Sequence, residues 1–115
     1  SHGPGTYALR VHVPNNHYEV LEAFRDAADV TPDEQTVGRL ADAGDVAYVG
    51  ASGDVYARLM DHAEAEVRQS LFLQAFEAVT VVDVWPSPAP FESEFNRART
   101  LSDKGWTVWS DGEVV

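Results

Sequence analysis

Short runs of β-branched and aromatic residues alternate along this chain with stretches of helical periodicity, and the links between them are a few residues long. That alternation excludes an all-helical bundle and an all-β sandwich and leaves a mixed architecture. Residues 6–13 read as a strand. Asn16 followed by Glu19 forms a capping box, after which Tyr18, Leu21, Phe24 and Ala28 recur at helical spacing. Thr31-Pro32-Asp33-Glu34 opens a second helix that should end near Gly44. A short strand at 45–49 enters Gly50, and Asp54 can cap a helix with Val55, Leu59 and Ala63 inward. Residues 68–77 should be helical, with Leu71, Ala75 and Ala78 on one stripe. Residues 79–85 form the strongest strand pattern, ended by the cluster Pro86-Ser87-Pro88-Ala89-Pro90. A last helix has Phe91, Phe95, Ala98 and Ser102 as its inner stripe, and Trp106 to Trp109 make a final strand. The expected fold is α+β, one domain over residues 1–115. A small central β-sheet is expected to be flanked by helices.

At 115 residues the chain is the size of one domain, and 44% hydrophobic residues supply one modest core. No apolar run approaches the roughly 20 residues of a membrane span, and the opening residues hold no apolar stretch of the signal-peptide kind. The absence of cysteine excludes disulfides, thiolate metal sites and a cysteine nucleophile. These features set an expectation of a cytoplasmic protein without membrane association. Nineteen acidic against eight basic residues give a net charge of −11, and Lys104 is the one lysine. Self-repulsion of that size is tolerable where ions screen it, so the composition suggests a halophilic source; an acidic domain with a basic partner is the alternative. A net negative charge by itself disfavours a nucleic-acid partner, but in concentrated salt counterion release contributes little and non-Coulombic contacts decide.

The residues with chemistry lie in one strand-turn-helix segment. Tyr48 closes a strand, Gly50 and Gly53 allow a close turn, and Arg58 and His62 stand one helical turn apart on one face. A guanidinium can grip phosphate oxygens in a bidentate way, and a phenol or imidazole can relay a proton. Each residue also has a plain structural reading: Tyr48 as a half-buried sheet residue, Arg58 paired with Asp54, and His62 with Glu66. His2, His12 and His17 show no metal-ligand spacing and read as surface residues. Trp85, Trp106 and Trp109 are expected to pack under the last strand rather than stack on bases.

This segment resembles the GIY-YIG nuclease family. Tyr48-Val49-Gly50 matches the second tripeptide, Arg58 stands ten positions after that tyrosine with Leu59 beside it, His62 follows one turn later, and Gly5-Thr6-Tyr7 looks like the first tripeptide. The resemblance implies a divalent metal, Mg²⁺ or Mn²⁺, held by a glutamate on a later helix between two apolar residues. Phe91-Glu92 with Phe95 fits that pattern whereas Ser93-Glu94 with Arg97 does not, so the expected ligand is Glu92. It also implies phosphodiester hydrolysis: Tyr48, with Tyr7 or His62, would help deprotonate water, and Arg58 would stabilise charge on the phosphate. DNA is favoured over RNA as the partner, with Asn96, Arg97, Arg99 and Lys104 as further nucleic-acid contacts. A protein partner or a dimer could supply specificity. The resemblance also implies that the small central sheet is mainly antiparallel. Tyr7 and Tyr48 stand 41 positions apart where the family has a short hairpin, so about residues 15–44 would be a helical insertion. The chain departs further at Ala51, where a lysine is common, and at Lys104, where an asparagine is usual. With the net charge, these departures support the alternative of a degenerate module that binds nucleic acid or protein without cutting.

Overall fold

Asn16 accepts a hydrogen bond at 3.0 Å from the Glu19 backbone N–H and so starts α1 (His17–Ala28), as its sequence position predicts. Asp33 does the same for α2 (Glu34–Ala43) through the Thr36 N–H at 2.7 Å. The cap is therefore Asp33 rather than Thr31, and Pro32 lies outside the helix. Gly44, at φ 73°, ends α2. The structure, a computed structural model, describes residues 3–64 and 70–115, the side chains of residues 61–64 excepted. The remaining elements are β1 (Gly5–His12), β2 (Asp45–Ser52), α3 (Val55–Glu64), α4 (Leu71–Ala75), β3 (Ala78–Pro86), α5 (Pro90–Asp103), β4 (Thr107–Ser110) and β5 (Glu113–Val114). No helix among the described residues is long and apolar enough to cross a membrane.

The architecture is α+β. Among the described residues, five strands form one sheet in the order β3-β1-β2-β4-β5, with antiparallel pairing except between β2 and β4. Helices cover both faces. On one, Leu9, Val11 and Val46 meet Val20 and Phe24 of α1, Leu40 of α2 and Phe72 of α4. On the other, Ala8, Ala47, Val49 and Val108 meet Ala98 and Leu101 of α5. The alternation of β1 and β2 between these two sets is the period-two pattern of strands buried on both sides.

Three stripes differ from expectation. In α1 the buried residues are Val20 and Phe24, while Tyr18 is exposed, because the helix turns its Val20 side to the sheet. In α5 the inner residues are Pro90, Ala98 and Leu101, with Glu94 and Arg97 half-buried on the same side, whereas Phe91 and Phe95 are 73% and 62% exposed. In the segment before β3 the buried residues are Phe72, Leu73 and Phe76, and the described helix runs only from Leu71 to Ala75. β3, the strand expected at residues 79–85, is an outer strand with Val79, Val81 and Val84 exposed. Its pairing with β1 shifts register twice. β5 is an addition to the expected order. A two-residue turn joins it to β4, with Asp111 at φ 52° and Gly112 at φ 82°; an Asp-Gly pair suits a hairpin turn with both central residues left-handed.

Candidate active site

Two helices separate β1 from β2 in the chain, yet the strands pair so that Tyr7 lies directly opposite Gly50 and Leu9 opposite Tyr48. Tyr7, Gly50 and Tyr48 thus share one face, with the two phenol rings 6.3 Å apart. Gly50 is needed as glycine because the Tyr7 ring lies across it: a Cβ there would meet the ring Cζ and the hydroxyl oxygen at 2.5 Å. Gly5 is needed for a similar reason, since a Cβ there would stand 2.5 Å from the Trp85 carbonyl oxygen on β3. Each glycine therefore permits a close approach: Gly50 admits the Tyr7 ring, and Gly5 lets β3 lie against the start of β1. Gly50→Ala is expected to push the Tyr7 ring aside and to destabilise the fold by about 1–3 kcal/mol, as overpacking does. Urea unfolding beside the wild type measures this, and an unchanged midpoint would mean that the ring moves freely.

These residues wall an open cleft of about 400 Å³, which Arg58, Glu94 and Asp111 also line. Asp54 caps α3 by accepting the Ala57 N–H at 3.1 Å, so its carboxylate is used on the helix end and Arg58 one turn on is directed to the cleft. Arg58 hydrogen-bonds Tyr7. Glu94 reaches the cleft from the first turns of α5, where the Ser110 hydroxyl donates to its Oε2 at 2.8 Å. Asp111 is brought there by the hairpin turn after β4. Phe72 and Trp109, stacked with centroids 4.7 Å apart, form the apolar floor.

Burial pushes the Tyr7 phenol well above its ordinary value of 10.0, the neighbouring Tyr48 adds to this, and Arg58 opposes it. Tyr7 is thus a neutral hydrogen-bonding group at physiological pH. Burial also raises the Glu94 carboxyl above its ordinary 4.5; the Ser110 hydroxyl works against that rise and Asp111 adds to it.

Of the residues singled out from sequence, Tyr7, Tyr48 and Arg58 converge. Glu92 does not: it is exposed on α5 and does not line the cleft, and Glu94, two positions on, takes that place. The reason is the phase of α5. The pattern that selected Glu92 took Phe91 and Phe95 as inward, and both face solvent. His62 is in the last turns of α3, but its side chain lies outside the described residues. The positive groups are scattered: Arg97 covers the Trp85 ring at 5.0 Å, Arg99 covers Phe95 at 5.9 Å, and Asn96 is exposed. Lys104 lies in a separate hollow with Asp45 and Trp106. Trp109 packs in the core, and Trp85 and Trp106 pack on the α5 side of the sheet. Sequence reasoning missed Asp111, for which the Asp-Gly pair after a short strand was the available signal. Compared with known proteins, the chain matches no family model, no curated protein and no solved structure.

Proposed function

We propose that this cleft hydrolyses phosphodiester bonds of nucleic acid with the help of one divalent cation, in the manner of a GIY-YIG-type nuclease. The observation that carries the reading is the meeting of Tyr7, Tyr48, Arg58 and a carboxylate in one cleft from four separate elements, with Glu94 as the carboxylate. Arg58 would bind the phosphate oxygens and stabilise the charge that builds on them. Tyr7, held neutral and hydrogen-bonded to Arg58, would orient the guanidinium. Tyr48, half-exposed at the cleft, would accept or relay the proton of the attacking water.

The donor set suits Mg²⁺ or Mn²⁺. Glu94 and Asp111 offer hard oxygen ligands of like charge, and no group of three metal-ligating side chains gathers among the described residues. A cation that keeps waters and takes phosphate oxygens needs no more than one or two carboxylates. When bound, the metal would polarise the scissile phosphate. Incubation with plasmid and labelled oligonucleotides tests the reading. The expected result is cleavage in Mg²⁺ or Mn²⁺ that EDTA abolishes. Binding with no cleavage in any metal would establish the second reading, a module that holds nucleic acid without cutting, which Ala51 and the remote position of Lys104 favour.

The Glu94 shift also has a stability signature. A carboxyl with its folded-state pKa above the unfolded value favours the fold most below the unfolded pKa. That contribution is lost as pH rises through the folded pKa. At neutral pH the ionised Glu94 therefore disfavours folding, and Glu94→Gln is expected to melt at a slightly higher temperature than the wild type. The difference should vanish below about pH 4. Thermal melts of both proteins across that range check it; a lower melting temperature for the glutamine protein at pH 7 would contradict the sign.

A further inference from the structure

β4 ends on Ser110, and the pleat of that strand decides where its hydroxyl goes. In the parallel pairing with β2, Trp109 lies opposite Tyr48 and Ser110 opposite Val49. Trp109 therefore turns to the face that carries the two tyrosines, and Ser110 to the face that α5 covers, as Val49 and Val108 do. Ser110 is buried, and its backbone is flanked on both sides, by Val49 of β2 and Glu113 of β5. From this fixed point its hydroxyl donates to Glu94 Oε2 at 2.8 Å. We infer that Ser110 is a positioning residue, which holds the Glu94 carboxylate in one rotamer and leaves Oε1 to meet a divalent cation in the cleft. The inference rests on the phosphodiesterase reading given above.

Glu94 has to reach the cleft around the end of the sheet, because α5 lies on one face while Tyr7 and Tyr48 stand on the other. A half-buried glutamate has many rotamers, and selecting one costs conformational entropy. A hydroxyl that is itself immobile meets that cost before any ligand arrives. Carboxylates that ligate cations are commonly hydrogen-bonded in this way, and loss of the supporting group weakens the ion. Ser93, next to Glu94 in α5, supplies the contrast. Its hydroxyl bonds to the Ser87 hydroxyl at 3.1 Å and to the Pro90 carbonyl oxygen at 3.2 Å, so it ties down the start of the helix rather than the carboxylate.

The test reads the cation directly. Tb³⁺ takes hard oxygen ligands as Mg²⁺ does, and its emission excited through tryptophan reports an ion near Trp109, which lines the cleft. Titration in about 1 M KCl suppresses binding to the acidic surface. The component of the emission that Glu94→Gln removes belongs to the cleft. Ser110→Ala is expected to weaken that component roughly 10- to 100-fold, with Mg²⁺ and Mn²⁺ competing at concentrations raised by the same factor. Ser93→Ala should bind as the wild type does. Ser110→Thr, which keeps the hydroxyl on a residue suited to a strand, should also bind as the wild type. Thermal melts in EDTA verify that each protein is folded.

Unchanged affinity in Ser110→Ala, an equal loss in Ser93→Ala, or a threonine protein no better than the alanine one would each overturn the positioning role. Ser110 would then be a tie between β4 and α5 and nothing more. Failure of the hydrolysis reading looks different. Emission that depends on both Glu94 and Ser110, with no substrate cut in any metal, would leave the positioning role standing and remove the hydrolysis. Metal-dependent cleavage with emission that Glu94→Gln removes and Ser110→Ala does not would do the reverse. Emission that Glu94→Gln leaves intact would take the cation from the carboxylate, and the role of Ser110 with it.

Discussion

Glu94→Gln is expected to lower metal-dependent cleavage by about 10²- to 10³-fold or more, while the same change at Glu92 leaves it at the wild-type rate. The two residues are close in sequence and chemically identical, so the contrast isolates position. Glu94 is half-buried, receives the Ser110 hydroxyl and lines the cleft; Glu92 is in solvent. Arg58→Ala should give a loss of the same order, and Arg58→Lys should recover little, since an ammonium cannot reproduce the bidentate grip on a phosphate. Single-turnover cleavage of one labelled oligonucleotide by all four proteins, with circular dichroism to confirm folding, measures it. Loss at Glu92 with retention at Glu94 would reinstate the assignment made from the flanking phenylalanines. Equal cutting by both glutamine proteins would remove the carboxylate from the reaction.

Phe72→Ala is expected to have the largest effect on stability, about 3–5 kcal/mol. Its side chain is fully buried and stacks on Trp109 at 4.7 Å and on Tyr48 at 6.2 Å, with Phe76 at 5.1 Å. Aromatic pairs of this kind add roughly 0.5–1.5 kcal/mol beyond the burial itself. In a domain whose total stability is on the order of 5–15 kcal/mol, the loss should lower the melting temperature by roughly 10 to 25 °C. Chemical unfolding at fixed salt measures it, and a cost below about 1 kcal/mol would show that the cluster re-closes around the gap. Because Phe72 also supports Tyr48, the alanine protein should lose activity at temperatures where it is still folded.

Local chemistry made much of this legible. Asn16 and Gly44 act where their types predict, and the order of strands and helices through β4 follows the change of period along the chain. Tyr48, Gly50 and Arg58 could be read because a strand end, a glycine and a helix turn fix their relation over a few residues. Glu94 could not be read so, since its role depends on the rotation of α5 about its axis. The side groups that set this rotation, Pro90, Ala98 and Leu101, are smaller than the two phenylalanines they outrank. Tyr18 misleads in the same way. Apolar content marks what can be buried, not what the partner surface has room for. β3 shows a further limit: the pattern of residues 79–85 marks a strand, but its place at the rim follows from which strands the rest of the chain supplies.

That rim strand bears on how the protein behaves as a colloid. Among the described residues β3 has a neighbouring strand on one side only and exposes Val79, Val81 and Val84, a template on which another chain could add. At low ionic strength the −11 charge keeps copies apart. Added salt shortens the reach of that repulsion, to about 3 Å at 1 M, and salts excluded from protein surfaces strengthen apolar association at the same time. What then opposes edge-to-edge growth is geometric: the two register shifts in β3 break the even spacing of its hydrogen-bonding groups, so that a second copy cannot pair along the whole strand. In concentrated salt, solubility passes from the charge of the surface to the irregularity of one strand.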